Sequence, residues 1–256
     1  MSLTNHVLLT PSWKFFAKYF YPITTRYFSG ENLVFINWGY EEDPPMALPL
    51  EASDEPDRYF IQLYHRTATQ VDLSGKRVLE VSCGHGGGAS HLVRTLGPAS
   101  YTGLDFDRAG VEFCRKRHNL PGLDFVHGKA QNLPFPDQAF DAVINVEASH
   151  CYPSFPRFLA EVARVLRPGG HFLYADWRRR DRISNWEGEL RDAPMRLMSE
   201  RVISAQVARA LEKNLRQWQE VSRKQSGVLR RYVHPKFSHG LQNGQTSYRM
   251  YCFINE

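Results

Sequence analysis

Val78-Leu79-Glu80-Val81-Ser82-Cys83-Gly84-His85-Gly86-Gly87-Gly88-Ala89 is the stretch that decides the fold. Its first residues read as a short buried strand, its glycines as a sharp turn, and Ala89 begins a helical stretch. Glycine lets a backbone turn tightly and approach a ligand without a Cβ clash, and a helix start adds free N–H groups. Gly84, Gly86 and Ala89 satisfy the dinucleotide-binding pattern G-x-G-x-x-G/A. Asp105 ends the next apolar run about 20 residues on, where a carboxylate can accept from two ribose hydroxyls. Tight packing alone would also use glycines. The turn's place between strand and helix, with Asp105 behind it, favours a nucleoside cofactor.

Outward from this turn the texture is regular. Apolar runs bounded by Gly, Asp or Asn recur at Arg77–Val81, 100–104, 123–126, 142–146 and 171–175, and read as buried parallel strands. Helical stretches at 89–96, 109–116 and 155–167 lie between them. In the last, Phe155, Phe158, Leu159, Val162, Val165 and Leu166 repeat at helical spacing. Ser154 stands at its N-cap position, with Gly169 and Gly170 past its end. The alternation predicts an α/β fold: an open, doubly wound sheet with ligands at the carboxyl ends of its strands. Residues 71–177 form this core. Residues 1–70, aromatic-rich and broken by Pro44, Pro45, Pro49 and Pro56, read as a cap of one or two short helices plus an irregular segment. Residues 178–246 read as a basic helical insertion over the acceptor, and 247–256 as a strand completing the sheet.

Composition sets the outer limits. A chain of 256 residues, 42% of them hydrophobic, suffices for one domain with a lid or insertion. With 23% charged residues and no low-complexity tract, disorder is excluded as a general state. No apolar run approaches the ~20 residues of a membrane span, and the first residues lack a small-residue cleavage site. Cys83, Cys114, Cys151 and Cys252 form no C-x-x-C pair, which argues for a reduced, cytoplasmic chain without zinc or disulfides. A net charge of +5 is too small to indicate nucleic acid.

Glu80 narrows the cofactor. A carboxylate within the strand repels a pyrophosphate and suits a cationic ligand. Glu80-x-x-x-Gly84-x-Gly86, Gly103-Leu104-Asp105, Ala130-x-x-Leu133-Pro134-Phe135 and Leu166-x-Pro168-Gly169-Gly170 resemble the ordered motifs of class I S-adenosylmethionine-dependent methyltransferases. The resemblance implies a seven-stranded Rossmann-like sheet, with S-adenosylmethionine as cofactor and S-adenosylhomocysteine as product. It places Glu80, Gly84 and Gly86 along the methionine end and Asp105 on the ribose, and counts Ser82 and Asn145 among the cofactor-binding residues. Phe106 flanks the adenine, and Ala130 meets it through its backbone N–H. Lys129 departs from the family's pattern, because an ammonium cannot accept from the adenine amine; Gln131 or main chain takes over that contact.

The acceptor side lies after the strand 142–146, in Glu147-Ala-Ser-His150-Cys-Tyr152. Methyl transfer to a hydroxyl needs an aligned oxygen and removal of its proton, a task suited to histidine. His150 is the candidate base, with Asp176 or Glu147 orienting it; the competing reading is a buried structural histidine. His65 and His85 are weaker candidates, and Cys83 and Cys151 read as packing residues. Metal-binding carboxylates are not clustered, and Glu147-x-x-His150 is too little for zinc. Trp13-Lys-Phe-Phe-Ala-Lys-Tyr-Phe-Tyr21 reads as a lid helix, with peripheral contact to the inner face of a membrane as the sharper alternative. Arg178-Arg179-Arg180-Asp181-Arg182 reads as a solvated basic turn beside the pocket, or as a contact for a headgroup. Trp186, Leu190, Met195, Leu197, Met198 and Leu211 roof an apolar pocket, or else are ordinary core.

A closer resemblance runs through Phe35-Ile-Asn-Trp-Gly-Tyr-Glu-Glu-Asp-Pro-Pro-Met46, Tyr64-His-Arg-Thr-Ala-Thr69, Asn145-Val-Glu-Ala-Ser-His-Cys-Tyr152 and Ser247-Tyr-Arg-Met-Tyr-Cys-Phe253. These are similar to the mycobacterial lipid O-methyltransferases, the group of the phthiotriol/phenolphthiotriol dimycocerosates methyltransferases and the glycopeptidolipid fatty-acid O-methyltransferase. The resemblance implies an O-methyltransferase for a hydroxyl on a lipid-like metabolite. The rival readings are a sugar O-methyltransferase, a C-methyltransferase, a non-catalytic cofactor-binding module and an NAD-dependent dehydrogenase. Oligomeric state stays open.

Overall fold

The computed structural model describes residues 34–222 and 235–256. The aromatic–basic run 13–21 lies outside them. An irregular segment, 34–54, leads through a short turn (Glu55–Asp57) into α1 (Arg58–Ala68). The core follows: β1 (Arg77–Val81), α2 (Gly87–Leu96), β2 (Ser100–Asp105), α3 (Arg108–Arg117), β3 (Leu123–His127), β4 (Phe140–Val146), α4 (Phe155–Val165) and β5 (Leu166–Arg179). Then come α5 (Arg180–Arg191), β6 (Arg196–Val202), α6 (Ser204–Ser222), α7 (Pro235–Gln242) and β7 (Thr246–Ile254). Seven strands form one sheet in the order β3-β2-β1-β4-β5-β7-β6. All neighbours from β3 to β5 run parallel, and β7 is antiparallel to both β5 and β6. The expected doubly wound, seven-stranded architecture is the one observed.

Alternation along the strands builds two cores. Val78, Ala142, Ile144, Leu173, Ala175 and Met250 share one face with residues of α1, α2, α3 and α6. Leu79, Val81, Val143, Phe172, Tyr174 and Phe253 share the other with α4 and α5. Helix α4 shows why its sequence is helical. Phe155, Phe158, Leu159, Val162 and Val165 are all buried along one stripe, and Ser154 Oγ caps the start by accepting from Arg157 N at 3.4 Å.

Two boundaries differ from the sequence pattern. The helix expected over 155–167 ends at Val165, and Gly169 and Gly170 belong to β5. Gly169 N donates to Asn255 O (2.7 Å) and Asn255 N to Gly170 O (2.8 Å), which draws these glycines into the sheet. The Asn255 side chain closes the helix instead, donating to Ala163 O and Leu166 O. Residues 178–246 are also not wholly helical, since Arg196–Val202 forms the edge strand β6. All its residues are exposed, so it carries no buried alternation that sequence could reveal. Trp186, Leu190, Met195 and Leu211 are core, whereas Leu197 and Met198 lie exposed on β6. Among the described residues no helix is long and apolar enough to cross a membrane.

Candidate active site

The chain leaves β1 toward β2 and β3 on one side and returns to β4 on the other, so strand order reverses between β1 and β4. Open α/β sheets bind ligands at such a crevice. Ser82 and Glu147 stand just past the carboxyl ends of these two strands, both left-handed, with φ of 62° and 52°. Each costs about 1–3 kcal/mol in a non-glycine residue and persists only where its surroundings fix it.

On the β1–β2 side, Asp105 ties the glycine turn to the end of β2. Its Oδ2 accepts from Gly84 N at 3.0 Å and its Oδ1 from Asp107 N at 2.9 Å. Burial pushes its carboxyl up to about 6 despite these bonds. Glu80 is fully buried in β1, and Tyr101 Oη donates to its Oε2 at 2.8 Å. The Tyr64 hydroxyl also favours its charged form, yet Oε1 keeps no well-aligned hydrogen bond, and burial pushes the acid up to about 7. Asn145 Nδ2 donates to Val81 O (2.8 Å) and Tyr152 Oη (2.9 Å), leaving its buried Oδ1 without a partner. Gln131 Nε2 is likewise buried and unpartnered, beside the buried Ala130. Phe106 is 44% exposed just beyond β2. Buried polar atoms in native proteins normally have partners, so this set around one crevice fits a polar ligand.

The glycines of the turn serve packing more than ligand approach. A Cβ on Gly86 would meet His118 Cδ2 at 2.8 Å, and one on Gly88 would overlap the Tyr64 ring at 2.3 Å. Gly87 N already donates to Val34 O at 3.2 Å. The place where a dinucleotide's pyrophosphate would rest on the helix start is therefore filled by the 34–54 segment and α1.

On the β4–β5 side, His150 lies in a single turn (Ser149–Cys151). Its Nδ1 is 2.8 Å from Asp176 Oδ1, and its backbone N donates to Asp176 Oδ2 at 2.9 Å. Asp176 is fully buried at the centre of a network, accepting also from Ser149 Oγ (2.6 Å) and Trp177 N (2.8 Å), with Arg178 Nη1 at 3.1 Å. Burial opposes its ionisation, but His150, Arg178 and these bonds together hold it well below the usual carboxylate range. Burial likewise opposes a charge on His150, yet Asp176 outweighs it and raises the imidazole to about 10. Glu147 does not hydrogen-bond His150. Its Oε2 accepts from Trp38 N (2.8 Å) and Tyr248 Oη (3.1 Å), and burial pushes it up to about 8. Trp38 stacks on Trp177 at 4.9 Å, and Trp177 in turn lies 4.6 Å from the His150 ring.

The chain matches the model of a methyltransferase domain over residues 79–174. It is 56% identical to the phthiotriol/phenolphthiotriol dimycocerosates methyltransferase of Mycobacterium tuberculosis over 255 residues, covering 96% of this chain and 94% of that protein. The chain belongs to the S-adenosylmethionine-dependent methyltransferases, in the family of that enzyme. Another relative, the fatty-acid O-methyltransferase of Mycolicibacterium smegmatis, is 55% identical over 93% of this chain and 89% of its own length. Among solved structures the fold matches the [4+2]-cyclase SpnF (TM-score 0.71, 20% identity, 92% of this chain and 94% of that one). It also matches geranyl diphosphate C-methyltransferase from Streptomyces coelicolor (TM-score 0.70, 14% identity, 97% and 99%). At such identities these structures speak to the fold alone, and a cyclase among them shows that fold does not set the reaction.

In this methyltransferase the crevice gathers Glu80, Ser82, Gly84, Asp105 and Asn145, and the next strand ends bring His150 to Asp176. Glu147 sits nearby but serves Trp38 and Tyr248. His65 is paired with His91 at 3.3 Å between α1 and α2, and His85 is buried against Phe113, its carbonyl 2.8 Å from His118 Nε2. Cys83 is buried, and its thiol is raised well above its usual range by the neighbouring Cys114 and by burial. Of the arginine run, Arg179 pairs with Asp181, whereas Arg178 turns inward over the Trp186 ring at 4.6 Å. Strand parity with Tyr174 and Asp176 was the available signal for Arg178. Trp38 and Tyr248 lie in stretches that carry the closer resemblance, but nothing local gives them a role in the site, because long-range packing brings them in. The surface cleft between Tyr40, Met46, Leu48, Arg66 and Arg201 contains none of these groups.

Proposed function

We propose that this enzyme transfers a methyl group from S-adenosylmethionine to a hydroxyl oxygen of a lipid-like acceptor, with His150 as general base. The observation that carries the reading is the His150–Asp176 pair, at the carboxyl end of the sheet, next to a crevice lined by unpartnered polar atoms.

The residues present fit the cofactor. Asp105 suits the ribose hydroxyls, while the buried, unpartnered Glu80 Oε1 and Asn145 Oδ1 suit a cationic amino-acid end. Phe106 offers an exposed ring to the adenine, with Ala130 and Gln131 at its edge. When bound, the sulfonium supplies an electrophilic methyl group. The chain's own task is then to hold the acceptor oxygen in line and take its proton. Asp176 fixes the His150 ring through Nδ1 and leaves Nε2 for the acceptor. Because Asp176 holds His150 protonated at neutral pH, His150 must shed that proton before it can act. The names of the relatives, with acceptors called phthiotriol and fatty acid, support a lipid acceptor, and the stacked Trp38 and Trp177 offer apolar surface beside His150.

A second reading follows from the same charge. A protonated His150, which shares Asp176 with Arg178, also suits a carboxylate acceptor, which needs no base, and one relative is named for a fatty acid. The pH dependence of turnover separates the two. A base gives turnover that rises with pH from 7 toward 10; an imidazolium that binds a carboxylate gives turnover that falls over the same range. His150→Gln lowers kcat by about 10²–10⁴ if the histidine is the base. Unchanged kcat in that variant overturns the assignment.

A further inference from the structure

We infer that Arg178 is a positioning residue for His150: it is the standing counter-ion of Asp176, and its charge lets the imidazole release its proton and act as base. The inference rests on the general-base reading above.

Asp176 is fully buried, and donors crowd both its oxygens. Oδ1 faces His150 Nδ1 (2.8 Å) and accepts from Trp177 N (2.8 Å). Oδ2 accepts from Ser149 Oγ (2.6 Å) and His150 N (2.9 Å), with Arg178 Nη1 at 3.1 Å. A carboxylate has about four lone-pair sites, so this set of donors occupies it and keeps it an anion in both states of the histidine. Three groups then set the local charge. With His150 protonated, two cations meet one anion; with His150 neutral, Arg178 and Asp176 balance. Without Arg178, a neutral His150 would leave a buried carboxylate with no counter-charge, which is costly, and the ring would hold its proton instead. The base form of His150 is the balanced form because Arg178 is there.

The fold commits Arg178 to this place. Its side chain is only 12% exposed, Nη1 donates to Trp177 O (2.8 Å), and Nη2 donates to Ser149 Oγ (2.9 Å). The guanidinium packs over the rings of Trp186 on α5 (4.6 Å) and Phe155 on α4 (5.3 Å). Because Ser149 gives its one proton to Asp176, its oxygen must accept from Tyr174 Oη (2.6 Å), which itself accepts from Trp186 Nε1 (3.1 Å). These neutral donors stabilise the anion without cancelling its charge. Arg249 stands opposite Asp176 on β7, but it is engaged by Glu187 and Glu200, both at 2.6 Å. The other ionisable groups near the ring are Cys151, in its own turn, and Glu147, which Trp38 N and Tyr248 Oη hold. Neither is a cation.

Nuclear magnetic resonance of ring-labelled histidine tests this on the intact enzyme, with the His150 signal assigned by its loss in His150→Gln. Arg178→Met fills much of the same space and removes the charge. Its His150 is expected to titrate about one unit or more above the wild-type midpoint. Turnover at pH 7 then falls about tenfold or more and recovers as pH rises, with KM for S-adenosylmethionine unchanged. Arg178→Lys keeps the charge without the planar fork, and is expected to bring the midpoint most of the way back. A midpoint unmoved or lowered in Arg178→Met, or shifted as far in Arg178→Lys, overturns the proposal; Arg178→Gln carries the same test if Arg178→Met does not fold. A midpoint that moves as expected while turnover does not follow it overturns the general-base reading instead.

Discussion

His150 shows how far one residue can be read from sequence. Its place after a strand's carboxyl end marked it, and Asp176, one strand over, was legible as its partner because parallel strands end on the same side. Glu147 was legible as an acid near the site, though not its bonds to Trp38 and Tyr248, which join positions 109 and 101 residues away. The charge on His150 was not legible, since it depends on how completely Asp176 is buried and bonded. Asp176→Asn removes the anion that raises His150 above its ordinary 6.5. The variant's turnover–pH profile is expected to shift to lower pH, with a lower plateau because the ring is less firmly held. An unshifted profile would assign the ionisation to another group.

At the scale of elements, the strand–turn–helix unit was fully visible, yet its glycines mean something different from what the pattern suggests. Gly88 is required because α1 presses the Tyr64 ring into the place of its Cβ, 2.3 Å away. Gly88→Ala is expected to force α1 and α2 apart and to cost about 1–3 kcal/mol, read as a fall of several degrees in Tm. A variant as stable as the wild type would show that the ring moves freely. The segment 34–54 was legible only as irregular, although it closes the site. Glu41, buried within it, accepts from Met46 N (2.9 Å) and Gln62 Nε2 (3.4 Å) and pairs with Lys213 of α6 at 2.8 Å. Such a latch joins distant positions and leaves no local periodicity. Edge strand β6 escaped for the opposite reason: with every residue exposed, it lacks the alternation by which strands are recognised.

Across the whole molecule, burial of ionisable groups around the crevice makes stability depend on pH with a definite sign. Glu147, raised to about 8, keeps a proton that the unfolded chain releases above its ordinary 4.5. His150, raised to about 10, does the same above 6.5. Between pH 7 and 9 the folded state therefore binds more protons than the unfolded one, and stability falls as pH rises. Tm is expected to drop over that window and to drop less in Glu147→Gln; a Tm that rises from pH 7 to 9 would refute the buried-acid description. In the proposed function the same crevice organises the reaction, with cofactor groups on the β1–β2 side and the histidine on the β4–β5 side. The most direct test supplies purified enzyme with methyl-labelled S-adenosylmethionine and a total lipid extract, then treats the labelled product with alkali. The account predicts label in a lipid as an alkali-stable methyl ether, lost with His150→Gln. Label confined to an alkali-labile ester, or absent from lipid altogether, would contradict it.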